Sequence, residues 1–150
     1  MRIIGFNTQG KLAGEVLDSA NHALSVVTQE VQHAEDLYHP TSIFDTHPGQ
    51  LSLATAWNSP SDEAITYVDF YIDDDRLYIK REGQAAELLT AAGVKVTNFQ
   101  VEVTGTTANP NPEDARAVRI TLTIQPAVSD SALAQRDAVT VTSAATVRAY

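Results

Sequence analysis

Between residues 13 and 38 the apolar side chains Val16, Ala20, Leu24, Val27, Val31, Ala34 and Tyr38 recur in steps of three and four. That spacing gathers them on one stripe of an α-helix. Leu17, Ala23 and Leu37 widen the stripe, while Glu15, Asp18, Ser25, Gln29, Gln32 and Asp36 fall on the opposite face. Proline is absent until Pro40, which disfavours helical backbone at His39 and sets the expected stop. A helix over residues 13–38 measures about 39 Å, longer than the average helix of a globular domain. A one-sided rod of that length needs a broad apolar layer to lie against, and the rest of the chain has to supply it.

Beyond residue 38 the chain reads as strand and turn. Residues 39–50 form a loop punctuated by Pro40 and the Pro48-Gly49 pair. Residues 51–56 alternate weakly as a first strand, and residues 58–62 (NSPSD) are a turn signal. Thr66, Val68, Phe70 and Ile72 then alternate with Ile65, Tyr67, Asp69 and Tyr71, and Leu77 and Ile79 alternate with Arg76, Tyr78 and Lys80. Two such runs meeting at Asp73, Asp74 and Asp75 predict a β-hairpin. Residues 84–92 are expected to form a short helical turn ended by Gly93. Residues 94–103 are strand-like, with Phe99, Val101 and Val103 on one side. Residues 104–114 form an exposed loop, Val118, Ile120, Leu122 and Ile124 mark a clean strand, residues 125–137 form a second polar loop, and residues 138–148 a last strand.

These patterns predict a single α+β domain over residues 1–150. In it, one long N-terminal amphipathic helix (about 13–38) packs on an antiparallel β-sheet of about five or six strands (about 51–148). One sheet face buries against the helix and the other meets water. The length of 150 residues suffices for a core without disulfide or metal staples.

Charge and composition narrow the function classes. A formal net charge of −9 argues against a nucleic-acid partner, because no basic surface exists to displace phosphate counterions. Four basic residues in the last third, Arg116, Arg119, Arg136 and Arg148, read as solvated strand and loop positions. The absence of cysteine removes thiol catalysis, iron–sulfur clusters and thiolate zinc sites. No apolar run approaches the ~20 residues of a membrane-spanning helix, and the opening MRIIGF is too short for a secretory signal core.

The acidic corner is the obvious place to look for a metal. Read as a calcium loop from Asp73, it places Tyr78 where glycine makes the bend and Gln84 where the bidentate glutamate belongs. Adjacent aspartates also alternate in direction, so Asp73, Asp74 and Asp75 read as a turn, whose geometry aspartate tolerates. His22 and His33 share a helix face but lie about 16 Å apart. His39, Asp45 and His47 in HPTSIFDTH match no established zinc spacing and would need a further convergent ligand. No serine sits in a G-x-S-x-G elbow and no glycine-rich phosphate cradle follows a strand. Catalytic residues, metal and cofactor are therefore all expected to be absent. Tyr67 and Tyr71, with Ile65, form an aromatic stripe of the kind that marks protein contacts.

The order of segments resembles the type IV pilin-like family, nearest to its minor pseudopilins and minor pilins. The helix stretch ALSVVTQEV (residues 23–31) is similar to the family pattern A-L-x-x-[MV]-[ST]-x-E-[IVL]. YIDDDRLYIK (residues 71–80) is similar to the tyrosine-rich hairpin Y-x-x-D-x-x-R-L-Y-x-[KR], and LLTAAGVKVTNFQV (residues 88–101) resembles the strand that comes after it. The resemblance spans about residues 14–124. Members of that family open with a basic leader, a glycine and a phenylalanine that starts an apolar span, with a glutamate a few residues on; here Gly5-Phe6 is followed by the polar Asn7, Thr8, Gln9 and Gly10. The expectation is that the natural precursor continues upstream, that Met1 is an artificial start and that membrane anchoring comes only through that upstream segment.

The resemblance implies a structural, non-enzymatic subunit of a type IV pilus or type II secretion-like filament, made as a prepilin and located in the bacterial cell envelope, periplasmic or extracellular. It implies inner-membrane anchoring before assembly, with other pilin or pseudopilin subunits and the inner-membrane assembly machinery as partners. The residues expected to make contacts are Val16, Ala20, Leu24, Val27, Val31 and Ala34 on the helix and Tyr67 and Tyr71 on the sheet. The first alternative is a stand-alone extracellular binding or adhesin module presenting the tyrosine face. Behind it stands a small hydrolase, for which no nucleophile–base spacing is visible and which would need a deep pocket with converging titratable groups.

Overall fold

The computed structural model describes residues 2–56, 66–104, 117–128, 132 and 136–147, with helix side chains described from residue 14 onward. The elements are helix α1 (Arg2–His33), strand β1 (Ala34–Leu37), a 3-10 turn (His39–Thr41), β2 (Gln50–Thr55), β3 (Thr66–Asp73), β4 (Arg76–Arg81), β5 (Glu87–Leu88), β6 (Val94–Thr104), β7 (Ala117–Pro126) and β8 (Val139–Thr146). The strands make two antiparallel meanders, a five-stranded sheet ordered β1-β2-β3-β4-β5 and a three-stranded sheet ordered β6-β7-β8. The expected fold, one long helix on a single sheet of five or six strands, is therefore corrected: the chain is mostly antiparallel β, in two sheets.

The physical reason lies at the junction of the sheets. β5 is only two residues long and β6 does not pair with it. The outer edge of β6 is instead met by single hydrogen bonds from elsewhere. Val96 N–H donates to the Asp75 carbonyl (2.7 Å), Phe99 N–H to His47 Nδ1 (2.9 Å), and Asp45 and Gly49 N–H groups to the Val101 and Phe99 carbonyls (2.9 Å each). Pro48 has no N–H to donate, so this segment cannot complete a ladder. Alternation reveals that each strand buries one face; it carries no information on which strands are neighbours.

Helix α1 also departs from expectation at both ends. It begins at Arg2 rather than residue 13 and ends at His33 rather than residue 38. Residues 34–37 are extended and pair with β2 (Ala34↔Thr55, Leu37↔Leu53), with a bulge between Ala34 and Asp36. A bulge resets strand alternation, so Ala34 and Leu37, three apart, are both buried. The same spacing is what a helix would produce, which is why the sequence pattern runs on through the boundary. The Leu37 N–H donates to Asp36 Oδ1 (2.9 Å), a local bond that favours the extended form. Residues 84–92, expected as a helical turn, instead carry β5 and irregular backbone.

One core joins all layers. From α1 it takes Val16, Ala20, Ala23, Leu24, Val27 and Val31, from the five-stranded sheet Leu51, Leu53, Val68, Phe70, Leu77 and Ile79, and from the three-stranded sheet Val96, Phe99, Val101, Val118, Ile120, Leu122 and Ile124. The helix contacts β7 and β8 most extensively. In β6 a bulge between Val96 and Asn98 lets Val94 and Val96 share the buried face with Phe99 and Val101 despite the odd spacing. Polar links tie the helix to its surroundings: Arg81 Nη1 donates to Glu30 Oε1 at 2.7 Å, the Ala91 N–H to Ser19 Oγ at 2.9 Å, Thr28 Oγ1 to Ser143 Oγ at 3.2 Å and Thr55 Oγ1 to the His33 carbonyl at 3.4 Å. Among the described residues no helix is long and apolar enough to cross a membrane. The expected loop at residues 58–62, nearly all of that at 104–114, part of that at 125–137, and Arg116 and Arg148 lie outside the described residues.

Candidate interaction face

The β3–β4 hairpin builds the face. Its inward set, Thr66, Val68, Phe70, Leu77 and Ile79, is buried in the core, so the alternate set must face away. A two-residue connection, Asp74-Asp75, closes the hairpin, with Asp73 opposite Arg76. Both connecting residues have positive φ (52° and 58°), the pattern of a type I′ turn, whose twist matches that of the strands. The acidic corner thus reverses the chain. Its exposed carboxylate Asp75 Oδ2 lies 3.7 Å from Lys95 Nζ, and its carbonyl holds the start of β6.

With the turn fixed, the register puts Tyr71 opposite Tyr78 and Asp69 opposite Lys80. The Tyr71 and Tyr78 rings stack with centroids 5.8 Å apart and planes at 19°. Tyr78 is in turn opposite Leu88 of β5, an exposed leucine. At the other end of β3, Tyr67 is 40% exposed and its ring meets that of Tyr38 at 4.8 Å. The outward side of the five-stranded sheet therefore carries two tyrosine pairs separated by an oppositely charged pair of positions, Asp69 and Lys80. Aromatic rings with polar tips, set on a rigid sheet, suit contact with another protein or a sugar ring.

The other residues singled out from sequence do not join this face. Val16, Ala20, Leu24, Val27, Val31 and Ala34 are buried in the chain's own core, where they hold the helix to the β-layers. His39 packs edge-on against Phe44 (5.6 Å), whereas His47 accepts the Phe99 N–H, so the two histidines serve different neighbours. Asp45 adopts positive φ (63°) and donates its N–H to Val101. His33 Nδ1 lies 2.8 Å from the Gln29 carbonyl one turn back, and His22 lines an open groove with Glu15, Asp18 and Thr90. Among the described residues no three His, Asp or Glu side chains gather to hold a metal ion.

Tyr38, Tyr78 and Leu88 join the face without having been expected there. Tyr78 is within reach of sequence reasoning, since a two-residue turn at Asp74-Asp75 dictates that it faces Tyr71. Tyr38 is not, because its spacing assigns it to the helix. No family model, no curated protein and no solved structure matches this chain.

Proposed function

We propose that this chain is a structural, non-enzymatic filament subunit, a minor pilin or pseudopilin of a type IV pilus or type II secretion-like system. The observation that carries the reading is α1. It starts at Arg2, roughly four turns before Val16, and its stripe from Val16 to Val31 is buried in the core. A filament subunit of this kind needs one stretch of helix to seat its β-layers and another to pack among neighbouring subunits. The stripe supplies the first. The motif order along the helix, the tyrosine hairpin and β6 supports the same reading. Its partners are then other pilin or pseudopilin subunits and the inner-membrane assembly machinery, in the cell envelope.

Expression of the full genomic reading frame alongside its assembly machinery tests the proposal. A membrane-bound precursor, shortened by prepilin peptidase and recovered in sheared filaments, is the expected result. A product that is never shortened and never enters filaments overturns it. The exposure of Tyr67 and Leu88 favours a second reading, a stand-alone extracellular binding or adhesin module. That reading requires glycan or protein binding that Tyr67→Ala and Tyr78→Ala variants abolish without loss of folding.

A further inference from the structure

A β-sheet that is not closed has two edges, and unguarded edges recruit other strands. Three of the four edges here are guarded. β1 is short and carries Glu35 and Asp36, and β5 is two residues long and carries Glu87. The outer edge of β6 is met by His47, Gly49, Asp45 and Asp75. The fourth edge is β8, eight residues reading VTVTSAAT, with no charge, no proline and no backbone partner on its outer side among the described residues.

Beside β8 runs an open groove of about 600 Å³ between the strand and α1, lined by Asn21, Leu24, Ser25, Thr28, Gln32 and Ser143 among others. None of its lining residues is Asp or Glu, although the chain carries a net charge of −9. Two copies of so acidic a molecule repel over most approaches, and a groove without carboxylates adds no local repulsion of its own.

The β8 sequence is also complementary to itself. In an antiparallel pair centred on Thr142, Val139 faces Ala145, Thr140 faces Ala144 and Val141 faces Ser143 of the other copy. Each larger side chain meets a smaller one. A two-fold axis normal to the sheet keeps equivalent faces on the same side, so the helix-facing residues of one copy border those of the other.

We infer that β8 is a homotypic docking edge at which a second copy of this chain adds its own β8 antiparallel, joining two three-stranded sheets into one of six. The inference is independent of the filament reading, and it commits to a register. The natural chain has no cysteine, so single introduced cysteines report that register directly. Thr142 is exposed on the open face, and Thr142→Cys brings two thiols directly opposite, about 4.5–5.5 Å apart at Cβ and close to disulfide geometry. Under mild oxidation this variant becomes a disulfide-linked dimer. Thr140→Cys alone and Ala144→Cys alone do not, because each thiol sits about 13 Å from its own copy, but a mixture of the two cross-links.

In the unmodified protein, the alternate amides of residues 139–146 that do not bond to β7 gain exchange protection as concentration rises, and Thr142→Lys weakens association at least tenfold. Failure of Thr142→Cys to cross-link, or equal cross-linking at residues 140 and 142, overturns the inference. So does β8 protection that appears only when an unrelated strand peptide is added.

Discussion

Glu30 is 3% exposed and its carboxylate meets the Arg81 guanidinium at 2.7 Å, with Arg81 itself 25% exposed. The pair bridges α1 and β4. Its energetic worth follows from asymmetry rather than from attraction alone. Charges about 4 Å apart attract by about 4 kcal/mol at an effective dielectric of about 20, but burying the carboxylate offsets much of this. Removing only the cation leaves the carboxylate buried without its partner, which costs about 3–5 kcal/mol in a dry site. Because Arg81 is partly exposed, water enters after truncation, and Arg81→Met is expected to lose about 2–3 kcal/mol. Glu30→Gln keeps shape and a hydrogen bond and loses about 1 kcal/mol. The double variant Glu30→Leu/Arg81→Met, which removes both charges, should return to within about 1 kcal/mol of the parent. Urea unfolding at constant m measures these differences, and Arg81→Met should lower Tm by roughly 5–10 °C. An Arg81→Met loss below about 0.5 kcal/mol, or a double variant no more stable than that single one, refutes the reasoning.

Two glycines should respond in opposite directions to alanine. At Gly49 a Cβ would lie 2.8 Å from the Phe99 carbonyl oxygen and 3.2 Å from that of Thr46, so Gly49→Ala should lose about 1–3 kcal/mol; at Gly14 a Cβ meets open space within a helix, so Gly14→Ala should gain about 1 kcal/mol. Thermal melts of the two variants check both signs. Asp75→Gly relieves a positive φ of 58° and gives up only a half-exposed contact with Lys95; a stability gain of about 0.5–1 kcal/mol is expected, and a loss would mean the Asp75 side chain matters to the turn. Thr90 Oγ1 is buried without a hydrogen-bond partner among the described residues, so Thr90→Val, near-isosteric, should raise stability by about 1 kcal/mol in denaturant titrations.

The strands are readable from sequence wherever a single period holds. β7 is the clearest case: Val118, Ile120, Leu122 and Ile124 are buried as their alternation implies. The hairpin turn is readable because aspartate pairs have a local reason to reverse the chain. Hidden from sequence are events that depend on a distant partner. Ala34 and Leu37 keep helical spacing while lying in a bulged strand that exists because β2 is there to pair with it. The split into two sheets depends on residues 43–49 reaching β6, a choice made between segments some fifty positions apart. Of the candidate face, Tyr67 and Tyr71 are visible as outward positions, but Tyr38 becomes legible only once β1 is placed. The Glu30–Arg81 pair leaves no local signal, since a glutamate on a helix and an arginine at the end of a strand are both ordinary surface residues.

Segment 43–49 fastens β6 from outside the small sheet, through bonds to Phe99 and Val101 in mid-strand. Neither meander is therefore a module. A fragment beginning after residue 50 would retain every residue of β6, β7 and β8 yet bare the β6 rim, and we expect it to cluster rather than fold. In the intact chain the clasp makes both sheets come apart together, so calorimetric and van't Hoff enthalpies should agree. The join between layers, more than either layer alone, is where this protein keeps its unity.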